Sequence, residues 1–202
     1  DDDALNRRLV TATLAREGLR TTSANDGAEA LKAIREEPPD VILLDIEMPG
    51  IDGFEVLGQI KADEKLRHLP VIMISGLDDT ESVVRCLEIG ADDILPKPFD
   101  AAILRARINA GLDRKALHDL EGREHLAEVV LLSTCNRTEV YVRTTRFHDG
   151  IEDVHHFLAD CSGMDPDAMA EQLYTYHDEA AVTHLFGVTS GLDSMIIGES
   201  EI

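Results

Sequence analysis

A carboxylate that closes an apolar run is well placed to do chemistry, and Asp45 closes Val41-Ile42-Leu43-Leu44. It is followed by Ile46-Glu47-Met48-Pro49-Gly50-Ile51-Asp52-Gly53, a turn-rich stretch. Such a residue is expected at the carboxyl end of a buried strand, the edge where open parallel sheets bind their ligands. Three other places supply what an aspartate needs in order to accept a phosphoryl group. Asp1 and Asp2 offer further carboxylates for a hard divalent ion, Ser75 ends Val71-Ile72-Met73-Ile74, and Lys97 ends Ile94-Leu95-Pro96. Phosphoryl transfer asks for a metal to neutralise spread charge, a hydroxyl donor and a cationic clamp, and these residue types fit those roles.

The elements that must position them alternate. Helices are expected over Leu5–Glu17, Ala28–Glu36, Phe54–Ala62 and Thr80–Ile89, and strands over Val41–Asp45, Val71–Ser75 and Ile94–Pro96. Strands alternating with helices of about ten residues predict a parallel sheet covered on both faces. From Asp100 onward Leu104, Ile108, Leu112, Ala116 and Leu120 recur every four residues. Two readings of that stripe stand: a helix that projects and pairs in a homodimer, or one that packs on its own sheet and frays after about Leu112. Gly122 interrupts the pattern, so a domain boundary is expected between about Asp113 and Glu128.

On these residues, about 1–117 resemble the receiver domain of two-component response regulators. The resemblance runs through Asp1-Asp2-Asp3, Asp45 with Met48-Pro49-Gly50, Ser75, Gly90-Ala91-Asp92-Asp93 and Lys97-Pro98-Phe99, in the family's order and at its spacings. It implies a flavodoxin-like doubly wound α/β sheet in which Asp45 is the phosphoacceptor for a histidine kinase. It also implies that Mg²⁺ is held by Asp1, Asp2, Asp45 and the backbone carbonyl of Glu47, with Ser75 and Lys97 as the switch pair. Two departures stand out. The family's apolar first strand does not precede Asp1, and Ile94 occupies a position that is usually aromatic.

Further along, Val129–Leu132 is apolar and is followed by Ser133-Thr134-Cys135-Asn136-Arg137-Thr138-Glu139-Val140-Tyr141. A thiol between two strands with a guanidinium two residues away can serve as a nucleophile, because Arg137 favours the thiolate and can grip a carboxylate. The bland alternative is an inert buried cysteine. The string is similar to the catalytic signature of glutamyl-tRNA reductase, as is the later His184-Leu185-Phe186 with Ser190-Gly191-Leu192-Asp193-Ser194-Met195-Ile196-Ile197-Gly198-Glu199. The resemblance implies a partial α+β, ferredoxin-like catalytic domain over 129–202, with 118–128 as a connecting helix or linker. It implies that Cys135 attacks the aminoacyl ester of glutamyl-tRNA and that NADPH reduces the thioester. Thr134, Asn136, Arg137, Ser194 and Glu199 then contact substrate, and His184 is needed for activity; the bland reading of His184 is a satisfied core histidine. Glu199-Ser200-Glu201 stands where the family commonly has Glu-Pro-Gln, and no Gly-x-Gly-x-x-Gly occurs, so a nicotinamide-binding domain is not expected within these residues.

Composition bounds the partners. The 202 residues carry a net charge of −21 and 44% apolar residues. Residues 1–118 hold 15 Lys/Arg against 23 Asp/Glu, and residues 119–202 hold 4 against 17. The second part is therefore poorly equipped to hold a polyanion, and weak binding of glutamyl-tRNA is expected. No long apolar run or basic leader is seen, which reads as a cytoplasmic chain without a membrane partner. Cys86, Cys135 and Cys161 are too scattered for a disulfide framework or zinc site. Three functions follow: a phosphorylation-controlled module joined to a reductase catalytic piece, a piece of an NADPH-dependent reductase whose other domains lie elsewhere, or a junction in which neither half works.

Overall fold

The computed structural model describes residues 4–76, 80–133 and 138–190. The chain divides into two compact units, 1–116 and 117–202.

The first unit alternates as its apolar periods require: α1 (Ala4–Arg16), α2 (Gly27–Glu36), β1 (Ile42–Asp45), α3 (Gly53–Ala62), β2 (Val71–Ser75), α4 (Thr80–Ile89), β3 (Asp93–Pro96) and α5, which begins at Ala101 and runs to Glu121. Two helix starts are fixed by side chains that take an otherwise unpaired N–H. Asp26 accepts from Glu29 N at the head of α2, and Asp52 accepts from Glu55 N at the head of α3. The strands form one parallel sheet in the order β1-β2-β3, with Asp45 beside Ile74 and Ser75 beside Pro96. Every residue of β2 is buried, as expected for a strand covered on both sides.

Side chains alternate across the sheet and divide its core in two. Ile42, Leu44, Val71 and Met73 join Leu31, Ile34, Phe54, Val56, Leu57, Ile60 and Cys86 on one face. On the other, Ile72 and Leu95 join Leu14, Leu104 and Ile108, with Val10, Leu43 and Leu112 packed against them. This is an α/β doubly wound sheet, and its far edge at β1 pairs with no described strand. Residues 19–24, between α1 and α2, form no strand either. In the 2-1-3-4-5 order of such sheets a second strand bonds only to the first, and no first strand lies among the described residues.

Within the chain, the α5 stripe packs on its own sheet, and the expected fraying is corrected. Leu104 and Ile108 are buried on the sheet as the packing account requires, but the helix does not fray after Leu112 and continues to Glu121. Leu120 is buried in the second unit, so the stripe is largely covered within one chain.

The second unit is α+β. An antiparallel ribbon of β4 (Leu126–Ser133) and β5 (Thr138–Thr144) is followed by α6 (Phe147–Ser162), α7 (Pro166–Ala170) and α8 (Asp178–Thr189). Gly163, at φ 69°, ends α6 in the left-handed conformation that favours glycine. Asp165 caps α7, whose first turn holds Pro166. The buried apolar side chains here are Leu120, Leu126, Phe157, Ala159 and Val188 among the described residues. One two-stranded ribbon is all the sheet these residues form, short of a complete ferredoxin-like arrangement.

Candidate functional site

The tips of three adjacent strands bring Asp45, Ser75 and Lys97 to one edge. Asp45 ends β1 with a side chain only 2% exposed. A carboxylate so far from water needs a partner, and Lys97 Nζ donates to its Oδ2 at 2.5 Å. Its Oδ1 takes the Glu47 N–H at 3.3 Å, which ties the charge to the start of the following turn. Ser75 ends β2 and is also 2% exposed. The Lys97 N–H donates to Ser75 O at 2.6 Å, so the backbone that aims the ammonium is fixed to the strand carrying the hydroxyl. Lys97 is followed by a cis peptide to Pro98.

Chemically this is a buried carboxylate, an ammonium paired with it and a hydroxyl at one sheet edge. Placing a phosphoryl group there adds negative charge that Lys97 alone would have to meet, which calls for a hard cation. The Asp45 carboxylate and the Glu47 backbone carbonyl are oxygen donors of the kind Mg²⁺ takes, so the residues present fit part of its shell. Asp1 and Asp2 lie outside the described residues, and no group of three or more ligating side chains occurs among the described residues.

In the second unit Thr134, Cys135, Asn136, Arg137, Ser194 and Glu199 lie outside the described residues. The strands that flank the cysteine do pair, with Ser133 opposite Thr138. His184, on α8, is not a core histidine. Its side chain is 23% exposed, and Nε2 lies 3.4 Å from Glu139 Oε1 on β5. Of the other thiols, Cys86 is buried and Cys161 exposed. Burial pushes the Cys86 thiol up, against a smaller lowering by the neighbouring Arg85.

Comparison with known proteins separates the same two stretches. The family model for the response regulator receiver domain matches residues 1–109, more than half of the chain. The chain belongs to the response regulator receiver family. A second model, for the N-terminal domain of glutamyl-tRNAGlu reductase, matches residues 103–202. A glutamyl-tRNA reductase of Frankia alni is 51% identical over 88 residues, 44% of this chain and 19% of its own length. The response regulator PleD of Caulobacter vibrioides is 43% identical over 110 residues, 54% of this chain and 24% of its own length. The chain spans between about a fifth and a half of the length of the curated relatives it matches. Among solved structures, the receiver domain of sensor histidine kinase PA1611 from Pseudomonas aeruginosa, with a magnesium ion coordinated in its active site cleft, is 29% identical with a TM-score of 0.52. The alignment covers 55% of this chain and 92% of that one.

Within the receiver unit two positioning features escaped the sequence reading. A Cβ on Gly53 would stand 2.1 Å from Asp45 O and 2.8 Å from Ile46 Cα, so α3 can approach the end of β1 only because no side chain is there. Gly53 N–H donates to Ile46 O at 3.0 Å and seals that approach. The signal was present, since a glycine directly after the Asp52 cap is a poor helix former with no other local reason.

The second feature is Asp92, which the sequence marked only as a landmark. It lies away from the strand tips, at the start of β3, and accepts from Lys61 Nζ and Val71 N at 2.9 Å each and from Arg114 Nη1 at 2.5 Å. Burial raises its carboxyl pKa, but Val71 N–H, Lys61 and Arg114 together outweigh that and hold it below its ordinary value. It joins α3, β2 and α5 around the base of the sheet. Ile94, at the usually aromatic position, packs half-buried against the larger apolar cluster.

No described helix is long and apolar enough to cross a membrane.

Proposed function

We propose that the first unit is a phosphoacceptor module that takes its phosphoryl group onto Asp45 from the phosphohistidine of a histidine kinase. The observation that supports this most is the Asp45 carboxylate itself, buried at the strand tips, paired with Lys97 and flanked by Ser75. A carboxylate oxygen of Asp45 bonds to phosphorus as the bond from phosphorus to the donor imidazole breaks, and the imidazole leaves with a proton. Lys97 meets the charge spread over the phosphoryl oxygens, and the Ser75 hydroxyl donates to one of them. Asp1, Asp2, Asp45 and the Glu47 carbonyl would hold Mg²⁺, which supplies neutralisation of that charge. Incubation of the whole chain with a small phosphodonor tests this: one acid-labile phosphoryl group is expected with Mg²⁺ and little without it. No incorporation, or incorporation indifferent to Mg²⁺, refutes the reading.

The reductase match over residues 103–202 favours a second activity in the same chain. Here Cys135 is the nucleophile. Its sulfur bonds to the ester carbonyl of glutamyl-tRNA, the tRNA hydroxyl leaves, and a glutamyl thioester remains. Thr134, Asn136, Arg137, Ser194 and Glu199 bind the substrate, and His184 handles the proton. NADPH is a poor fit to the described residues. The βα turns of the parallel sheet formed by the described residues carry Asp45 and Ser75 rather than a glycine-rich phosphate turn, so no reduction step is assigned to these residues. Weak tRNA binding accompanies this reading, because 119–202 hold 4 Lys/Arg against 17 Asp/Glu. A homodimer through α5 would rest on the positions its own unit leaves uncovered. Transfer of labelled glutamate to the protein, absent in Cys135→Ser, is the expected result; no transfer refutes it and leaves the receiver reading standing.

A further inference from the structure

Two elements of the second unit bring a carboxylate, an imidazole and two phenols together. Glu139 and Tyr141 alternate along β5 and so project to the same side of the ribbon. Tyr141 OH donates to Glu139 Oε2 at 2.5 Å, while Oε1 lies 3.4 Å from His184 Nε2, within ion-pair distance but longer than an ordinary hydrogen bond. The Tyr176 ring stands 4.7 Å from the His184 ring, tilted by 31°, and the Tyr141 ring lies 6.3 Å from it. Glu139 is 18% exposed, sheltered enough that its charge acts locally. His184 lines an open groove with Tyr176, Glu179, Ala180 and Thr183.

A carboxylate can only accept, and a neutral imidazole has one nitrogen of each kind, so the nearby charge favours the proton on the nitrogen that faces Glu139. We propose that Glu139 is a positioning residue for His184, fixing its ring as the Nε2–H tautomer with the lone pair on Nδ1, and that Tyr141 holds Glu139 in place for this. The inference rests on the reading of His184 as a working residue of the reductase-like unit, and it deepens that reading by naming what orients the imidazole. The same arrangement lets a protonated ring be met at once by a neighbouring charge, as a group that takes and returns a proton requires.

Long-range proton–nitrogen spectra of the nitrogen-15-labelled whole chain, taken where imidazoles are neutral, test it. Replacing a charged acceptor changes such an equilibrium by roughly tenfold. The ratio of Nε2–H to Nδ1–H at His184 should fall by about that factor in Glu139→Ala and by a smaller factor in Tyr141→Phe. Glu139→Gln, which keeps the shape and one accepting oxygen, should restore most of the ratio. An unchanged ratio in both Glu139→Ala and Tyr141→Phe overturns the proposal. If Glu139→Ala fails to fold, Tyr141→Phe decides by the same criterion. The ring signals do not depend on Cys135, so a chain that shows the tautomer shift but never receives glutamate refutes the catalytic reading and leaves the positioning role intact.

Discussion

The two candidate sites of this chain are built in opposite ways. In the receiver unit the working groups end buried parallel strands: Asp45 and Ser75 are almost without exposure, and each neighbouring tip is fixed by a backbone ladder. In the second unit the described candidate groups stand partly exposed on a two-stranded ribbon and a helix, over a core of few side chains. Burial makes the first site rigid and intolerant of added atoms. The second depends on side-chain pairing, such as Glu139 with His184, and isolated ribbons are marginal without further strands or helices packed on them.

The largest effect that would break this contrast comes from glycines. Gly53→Ala should cost about 2–4 kcal/mol in urea unfolding of the first unit, because its Cβ meets backbone and cannot be relieved by a rotamer change. Gly187→Ala, in the last turn of α8 with nothing within 4 Å of the new atom, should be neutral or add up to about 1 kcal/mol. Equal costs would mean that the two units are packed alike.

That pair also marks how far the sequence could be read. Asp45, Ser75 and Lys97 were legible because apolar runs announce strands, and parallel strands end at one edge. The helices were legible from their periods and caps. Gly53 was not, because its importance lies in an approach between α3 and the β1 tip that no local pattern displays. The partner of His184 was hidden for the same reason: Glu139 lies 45 positions earlier and meets it only through the fold. The continuation of α5 to Glu121 overrode a fraying expected from the weakening stripe, since Leu120 finds burial of its own.

Charge sharpens the comparison next. Asp92 has a folded-state pKa below its ordinary 3.8, so its stabilisation is complete above that value and is lost as pH falls through the lower folded value. Acid unfolding of the first unit should therefore steepen below about pH 4, and Asp92→Asn should flatten that dependence while costing roughly 1–2 kcal/mol at neutral pH. In the second unit Arg143 holds the Glu128 carboxyl down, but this pair is fully exposed, so Glu128→Gln should leave stability unchanged at every pH. A pH dependence carried by Glu128 instead would reverse the assignment.

A smaller effect concerns the thiols. Iodoacetamide should modify Cys135 faster than exposed Cys161, and both much faster than Cys86, whose thiol is buried and held in its protonated form. Peptide mapping over time gives the order. Cys86 reacting as fast as Cys161 would show the first unit opening freely, against the rigidity claimed for it.

The account stands or falls on Asp45. Intact mass of the chain after a small phosphodonor and Mg²⁺, measured in parallel with Asp45→Asn, is its most direct test. The account predicts one added phosphoryl group in the wild type, lost on acid treatment, and none in the variant. Equal labelling of Asp45→Asn would contradict it.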